Sequence, residues 1–141
     1  MTTNLRFSVA VHILTLLAAS ETGLLTSEQI ASSVDTNPVV IRRVMANLRE
    51  NGIVESRPGV NGGWKLTKPA SAITLCKVFE SVHEEDLLSM HAHPNPRCPI
   101  GGHIRLSLQG VFAEAEKALH SSLSRQTVAD VLEDVRARAN S

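Results

Sequence analysis

Cysteine is nearly absent from this 141-residue chain. Cys76 and Cys98 stand far apart, too few for a disulfide framework and compatible with free thiols in a reducing compartment. No apolar run approaches the roughly 20 residues that cross a bilayer, and the first residues lack the charged start and cleavage site of a signal peptide. The expectation is a cytoplasmic protein with no membrane partner. The sequence has no His-Glu-x-x-His pattern, Gly-rich phosphate loop or nucleophile elbow, so the familiar signatures of hydrolytic and nucleotide chemistry are missing. It has no internal repeat, and it is too short for two full cores joined by a linker. Aromatic residues are few, whereas Leu, Ile and Val are plentiful in an apolar share of 43%, which points to a folded, mainly helical protein rather than a disordered one.

Net charge is also absent, since 14 basic residues balance 14 acidic ones, and this argues against nucleic-acid binding through bulk positive charge. The distribution is uneven, however. From Arg42 to Lys68 six basic residues (Arg42, Arg43, Arg49, Arg57, Lys65, Lys68) face two acidic ones (Glu50, Glu55), while acids outnumber bases from Ser71 onward. A basic segment on a neutral chain predicts a local phosphate-binding face, with the rest free for pairing or sensing.

What is present reads as a series of capped helices interrupted by one hairpin. Phe7 to Ala19 is almost wholly apolar without Gly or Pro, and predicts a buried helix ending at Glu21-Thr22-Gly23. Thr26-Ser27-Glu28-Gln29 has the form of a capping box and starts a short second helix running to about Ser33. Asn37-Pro38 starts a third, with Asn as N-cap and Pro where its missing N–H does no harm. In that helix Ile41, Val44, Met45 and Leu48 share one face, leaving Arg42, Arg43 and Arg49 on others, and Asn51-Gly52 closes it. Ile53–Arg57 and Trp64–Thr67 are strand-like runs around Pro58-Gly59-Val60-Asn61-Gly62-Gly63, a hairpin with a glycine-rich tip that Trp64 anchors on the core.

Leu75, Val78, Phe79 and Val82 predict a fourth helix of about three turns. The stretch from Glu84 to Gly101 is polar, bears prolines, His91, His93 and Cys98, and is too long for a plain connector. Ile104, Leu108, Val111, Phe112, Ala115 and Leu119 then trace a stripe along a helix of about five turns that needs a partner. A last amphipathic segment carries Val128, Val131, Leu132 and Val135 and begins near Ser124 or Thr127.

Helix, short turn, capped helix, then a hairpin flanked by basic residues is the order of a winged helix-turn-helix domain. The expected fold is mainly α, with a two-stranded β wing and a long C-terminal dimerisation helix. Residues 1–70 form the DNA-binding domain, and 71–141 the sensory loop and dimerisation helices. The third helix can enter a major groove with Val39, Arg42 and Arg43 near base edges, while its free amides and dipole favour phosphate. At the wing, Gly62 and Gly63 permit close approach to the backbone, and Arg57 and Lys65 neutralise phosphates. Thr26, Ser27, Asn37, Pro38 and Asn61 complete the predicted DNA-binding set. The bland alternative is a helical bundle with a solvated basic face.

These residues resemble the Rrf family of bacterial transcription regulators, the group that includes IscR, NsrR and CymR, and most closely its YwnA type. The resemblance spans nearly the whole chain and is carried by Arg6-Phe7-Ser8-Val9-Ala10-Val11-His12, by Asn37 to Gly52, by Arg57 to Trp64, and by His93-Pro94-Asn95-Pro96-Arg97-Cys98-Pro99. It implies a homodimer whose long helices cross, placing two wings on a near-palindromic duplex operator. Several members hold an iron-sulfur cluster through three cysteines in the loop before that helix, where this chain has only Cys98. The standard site is therefore excluded and no cofactor is expected. A cluster across subunits is the alternative, with His12, Cys76, Cys98 and His103 as candidate ligands. His12 matches a histidine that one kind of member uses, although Ser8 stands where the accompanying carboxylate would be. Arg42 replaces a glutamate that some members carry early in the recognition helix, which implies a different operator.

The resulting expectation is a repressor, not an enzyme, whose DNA affinity responds to a redox, thiol or ligand signal at the loop. Cys98, beside Arg97, between two prolines and before a helix start, is the sensory candidate. Cys76 flanks an apolar face and reads as a packed hydrophobe. His91, His93, Cys98 and His103 are candidate zinc ligands at no standard finger spacing, against the simpler reading of solvated loop histidines. Two other functions stay open: a metal-dependent hydrolase using these groups with Glu84 or Glu85 as base, and a winged-helix protein interaction module.

Overall fold

A computed structural model of the chain describes residues 3–83 and 86–141. Glu84 and Glu85, the hydrolytic bases of the alternative reading, lie outside the described residues. Helix α1 (Thr3–Ala19) has apolar side chains around most of its circumference, and Ala10, Ile13 and Leu14 are completely buried. It is the central post of the fold and packs against four of the helices described below.

Helix α2 (Ser27–Val34) begins at the expected capping box: the Gln29 amide donates to Thr26 Oγ1 at 3.2 Å, and the Thr26 amide to Gln29 Oε1 at 2.9 Å. Helix α3 (Pro38–Glu50) starts where the Val39 amide donates to Asn37 Oδ1 at 2.9 Å. Val40, Ile41, Val44, Met45 and Leu48 form its buried face, and Arg42, Arg43 and Arg49 are exposed. Gly52, at φ +72°, turns the chain into strand β1 (Val54–Arg57), which pairs antiparallel with β2 (Gly63–Leu66) in the register Val54↔Leu66 to Arg57↔Gly63. The pair is tied down by a bridge to the segment before α2, where Leu25 and Trp64 exchange backbone hydrogen bonds of 3.1 and 2.8 Å.

Helix α4 (Leu75–Val82) has eight residues, about two turns rather than the expected three. The reason is competition for backbone. The Val128 amide donates to the Ile73 carbonyl at 3.0 Å and the Leu75 amide to the Gln126 carbonyl at 2.9 Å, so the preceding residues pair with a distant segment instead of extending the helix. Helix α5 (Ile104–Ser124) is the longest element, and α6 (Val128–Ala139) starts at a second capping box between Thr127 and Asp130. Of the two N-terminal positions considered for α6, Thr127 is the cap.

The core joins α1, α3, α4 and the start of α6, with Val44, Leu48, Ile53, Ile73, Val78, Val82 and Val128 fully enclosed. By contrast, no residue of α5 is buried. Of its stripe, Ile104, Leu108, Phe112 and Leu119 are half-buried and Val111 is 61% exposed, while Leu106 beside the stripe is 73% exposed. Among the described residues no helix is long and apolar enough to cross a membrane.

Candidate nucleic-acid interface

Because Asn37 spends its side chain on the first free amide of α3, the helix begins abruptly at Pro38 and its first turn stands clear of the loop. Val39 is 59% exposed there, at the start of the helix beside the capping Asn37. Arg42 lines a groove of about 260 Å³ with Ser27, Ile41, Met45, Arg49 and Trp64, and a second groove with Ser27, Glu28 and Pro38. The start of α2, the exposed side of α3 and the wing thus meet around one guanidinium. Thr26 and Ser27 are exposed at this junction, and the Trp64 indole donates to Ser27 Oγ at 3.2 Å while its ring packs against the core, the anchoring expected of it.

Arg57 and Asn61 are exposed on the wing, and Val60 at its tip is wholly so. Lys65 is less available, since its ammonium pairs with Glu55 across the hairpin at 3.1 Å. The two glycines have a purpose inside the fold. A Cβ on Gly62 would collide with the Arg57 carbonyl, and one on Gly63, at φ +150°, would come within 2.6 Å of the Leu25 carbonyl. Only glycine lets the return strand close on both neighbours. That need is separate from the close approach to DNA expected of them.

In the loop before α5, Cys98 sits in a turn in which its amide donates to the Asn95 carbonyl at 3.2 Å and its carbonyl accepts from Gly102 at 2.8 Å. The thiol is half-buried, and the Gly101 amide, followed by that of Ile100, holds its pKa below the ordinary thiol value by stabilising the thiolate. His91 and His93 are exposed, as is His103, which precedes α5 without capping it.

An iron-sulfur cluster takes Cys thiolates, with His replacing some of them in particular types. Within one chain the four candidate ligands do not fit that requirement. His12 on α1 hydrogen-bonds Ser33 at 3.1 Å, Cys98 faces backbone amides, and His103 lies at the end of the loop. Cys76 alone among them has ligand-type neighbours, Glu80 and His120, which the sequence reading did not single out. The spacing of Cys76 and Glu80 at i and i+4 was a visible signal. The arrival of His120 depends on how α5 lies against α4, which no local pattern reveals.

Comparison with known proteins adds family evidence to this geometry. The family described as "Rrf2: Iron-dependent Transcriptional regulator" matches residues 3–134. YwnA of Bacillus subtilis (strain 168), named as a candidate HTH-type transcriptional regulator, is 39% identical over 130 residues, 92% of this chain and 96% of YwnA. The HTH-type transcriptional regulator IscR of Cereibacter sphaeroides is 28% identical over 119 residues, 81% of this chain and 76% of IscR. A crystal structure described as that of a candidate DNA binding protein superposes with a TM-score of 0.74 at 36% identity, covering 90% of this chain and 98% of the other.

Proposed function

The chain belongs to the Rrf2 family of DNA-binding transcription regulators, a family of regulators and not of enzymes, and on that premise we propose that it is a homodimeric repressor acting in the cytoplasm on a near-palindromic operator. The observation that carries this reading is the junction around Arg42, where the free first turn of α3 meets the start of α2 and the wing. The expected free amides are taken, since those of Val39, Val40 and Ile41 all donate to Asn37, so what α3 offers is the positive end of its dipole to phosphate and its exposed side chains to base edges in the major groove. Val39 contacts a thymine methyl, and Arg42 and Arg43 donate to base or phosphate acceptors. Thr26, Ser27, Asn37 and Pro38 abut the backbone, while Arg57, Asn61, Gly62, Gly63 and Lys65 bring the wing to the flanking strand.

The second protomer follows from α5. A helix of 21 residues with no fully buried residue, a half-buried apolar stripe and exposed Leu106 and Val111 is satisfied by the same face of a second copy about a two-fold axis. The two recognition helices then read half-sites about one helical turn apart. Residues 1–70 and 71–141 divide the labour between DNA contact and pairing with sensing, although they share one core. Cys98 is the signal-responsive group. Oxidation or alkylation of its thiol reshapes the turn from Asn95 to Gly102, which leads into α5, and so alters the spacing of the wings.

Selection of bound duplexes from a random library tests the reading. The expected product is an inverted repeat, with two chains per duplex by sedimentation. Recovery of no sequence preference, or of a single unpaired half-site bound by one chain, contradicts it.

A further inference from the structure

Three side chains unrelated to the interface converge where α5 leans on α4. Cys76 Sγ lies 3.4 Å from His120 Nδ1 and 3.5 Å from Glu80 Oε1, and His120 Nδ1 lies 3.5 Å from Glu80 Oε1. The residue Cys76 is 8% exposed, whereas the side chains of His120 and Glu80 are 42% and 53% exposed, so a solvated ion can reach a thiol at the floor of the site. Phe79 stands edge-on to the imidazole, with ring centroids 6.1 Å apart at 87°, and helps hold its orientation.

From this geometry we propose that Cys76, Glu80 and His120 bind a divalent borderline transition ion of the zinc or ferrous kind. Hydrogen bonding fills two edges of the triangle and leaves the third a bare contact. The thiol has one proton and Nδ1 either donates or accepts, so at most two of the three edges are hydrogen bonds at any moment. A metal satisfies all three lone pairs together. With bonds of about 2.3 Å to sulfur and about 2.0–2.2 Å to nitrogen and oxygen, a tetrahedral ion sets its ligands about 3.3–3.6 Å apart, the separations seen here. Thiolate and imidazole select a borderline ion over Mg²⁺ or Ca²⁺, and the affinity order of first-row ions places Zn²⁺ above Fe²⁺. Three protein donors leave a fourth position for water, as in exchangeable rather than closed sites. On binding, the Cys76 thiol loses its proton to solvent.

The placement gives the ion a mechanical role. Cys76 and Glu80 belong to α4, which packs on α1 and α3, while His120 belongs to α5, 44 residues beyond Cys76 and across the whole loop. An ion here staples the pairing helix to the body that carries α3. This second step rests on the DNA-binding reading, whereas the site itself does not.

Zn²⁺ titration of reduced, chelator-stripped protein against a chromophoric competitor tests the site, with Co²⁺ substitution as a spectroscopic check. The expected result is one ion per chain and a thiolate-to-cobalt charge-transfer band. Affinity should fall about tenfold or more in His120→Gln and Glu80→Gln, whose exposed positions leave the fold intact, and in Cys76→Ser. It should be unchanged in Cys98→Ser, and anaerobic Fe²⁺ should compete more weakly than Zn²⁺. Binding that survives His120→Gln and Glu80→Gln, or that is lost in Cys98→Ser, overturns the proposal. Operator affinity measured with and without Zn²⁺ then tests the staple. A shift in wild type that is absent in His120→Gln supports it, and equal affinities overturn it while leaving the site standing. If no duplex is bound in either state, the DNA-binding reading fails and the metal result is untouched.

Discussion

At the scale of single residues, the side chains proposed to act differ in what holds them. Arg42 stands at the meeting of two grooves, and Val39 is exposed in the first turn of α3. Arg42→Ala should weaken operator binding by about 1–3 kcal/mol and relax preference at one base pair if it reads a base; a phosphate contact would instead lower the salt slope by about one. An unchanged affinity and slope in a salt series would remove Arg42 from the interface. For Cys98 the sign follows from the Gly101 and Ile100 amides, which favour the thiolate and so lower its pKa. More thiolate is present near neutral pH than in an unfolded chain. In a Cys76→Ser background, the pH midpoint of Cys98 alkylation should therefore lie lower in native than in denatured protein, and an equal or higher native midpoint contradicts the turn's influence. The residues of both sites were legible in sequence to different degrees. Asn37-Pro38 and the arginines after it announce themselves by type and order, whereas the Glu80–His120 encounter does not, because its members are brought together only by helix packing.

At the scale of elements, capping decided most boundaries, and capping is local chemistry. Thr26, Asn37 and Thr127 each accept from an amide within three residues, so the starts of α2 and α3 could be read directly and that of α6 narrowed to Ser124 or Thr127. Asn37→Ala should cost about 1 kcal/mol in chemical denaturation, and this also loosens the first turn of α3, proposed to meet DNA. A loss indistinguishable from zero would mean that the cap is replaced by water. The length of α4 was not legible, because the pairing of Ile73 and Leu75 with residues 126–128 is a long-range choice made by the backbone. The wing's glycines were recognised as necessary, but their internal reason needed the Arg57 and Leu25 carbonyls in place. Gly62→Ala should therefore disturb the hairpin in DNA-free protein, seen as lost protection of the Trp64 amide in hydrogen exchange. Full protection would argue against that steric role.

At the scale of the molecule, one core ties α1, α3 and α4 to the start of α6, and α5 leans on α4 with its apolar stripe only half-covered. Stripes of this kind are legible in sequence because helical periodicity records burial whether the partner is the same chain or another. Leu106→Glu with Val111→Glu should shift sedimentation from dimer to monomer without loss of helicity, since neither residue is packed in the chain. Persistence of the dimer would place its interface elsewhere. Neutral net charge with a basic stretch from Arg42 to Lys68 fits a regulator that relies on selected contacts more than on bulk attraction. The most direct test of that central claim is the affinity of the wild-type protein for the selected inverted repeat against a scrambled duplex of equal length, at several salt concentrations. The account predicts that the repeat is preferred by about 10³-fold or more, with two chains bound. Equal affinity for the two duplexes at every salt concentration would contradict it.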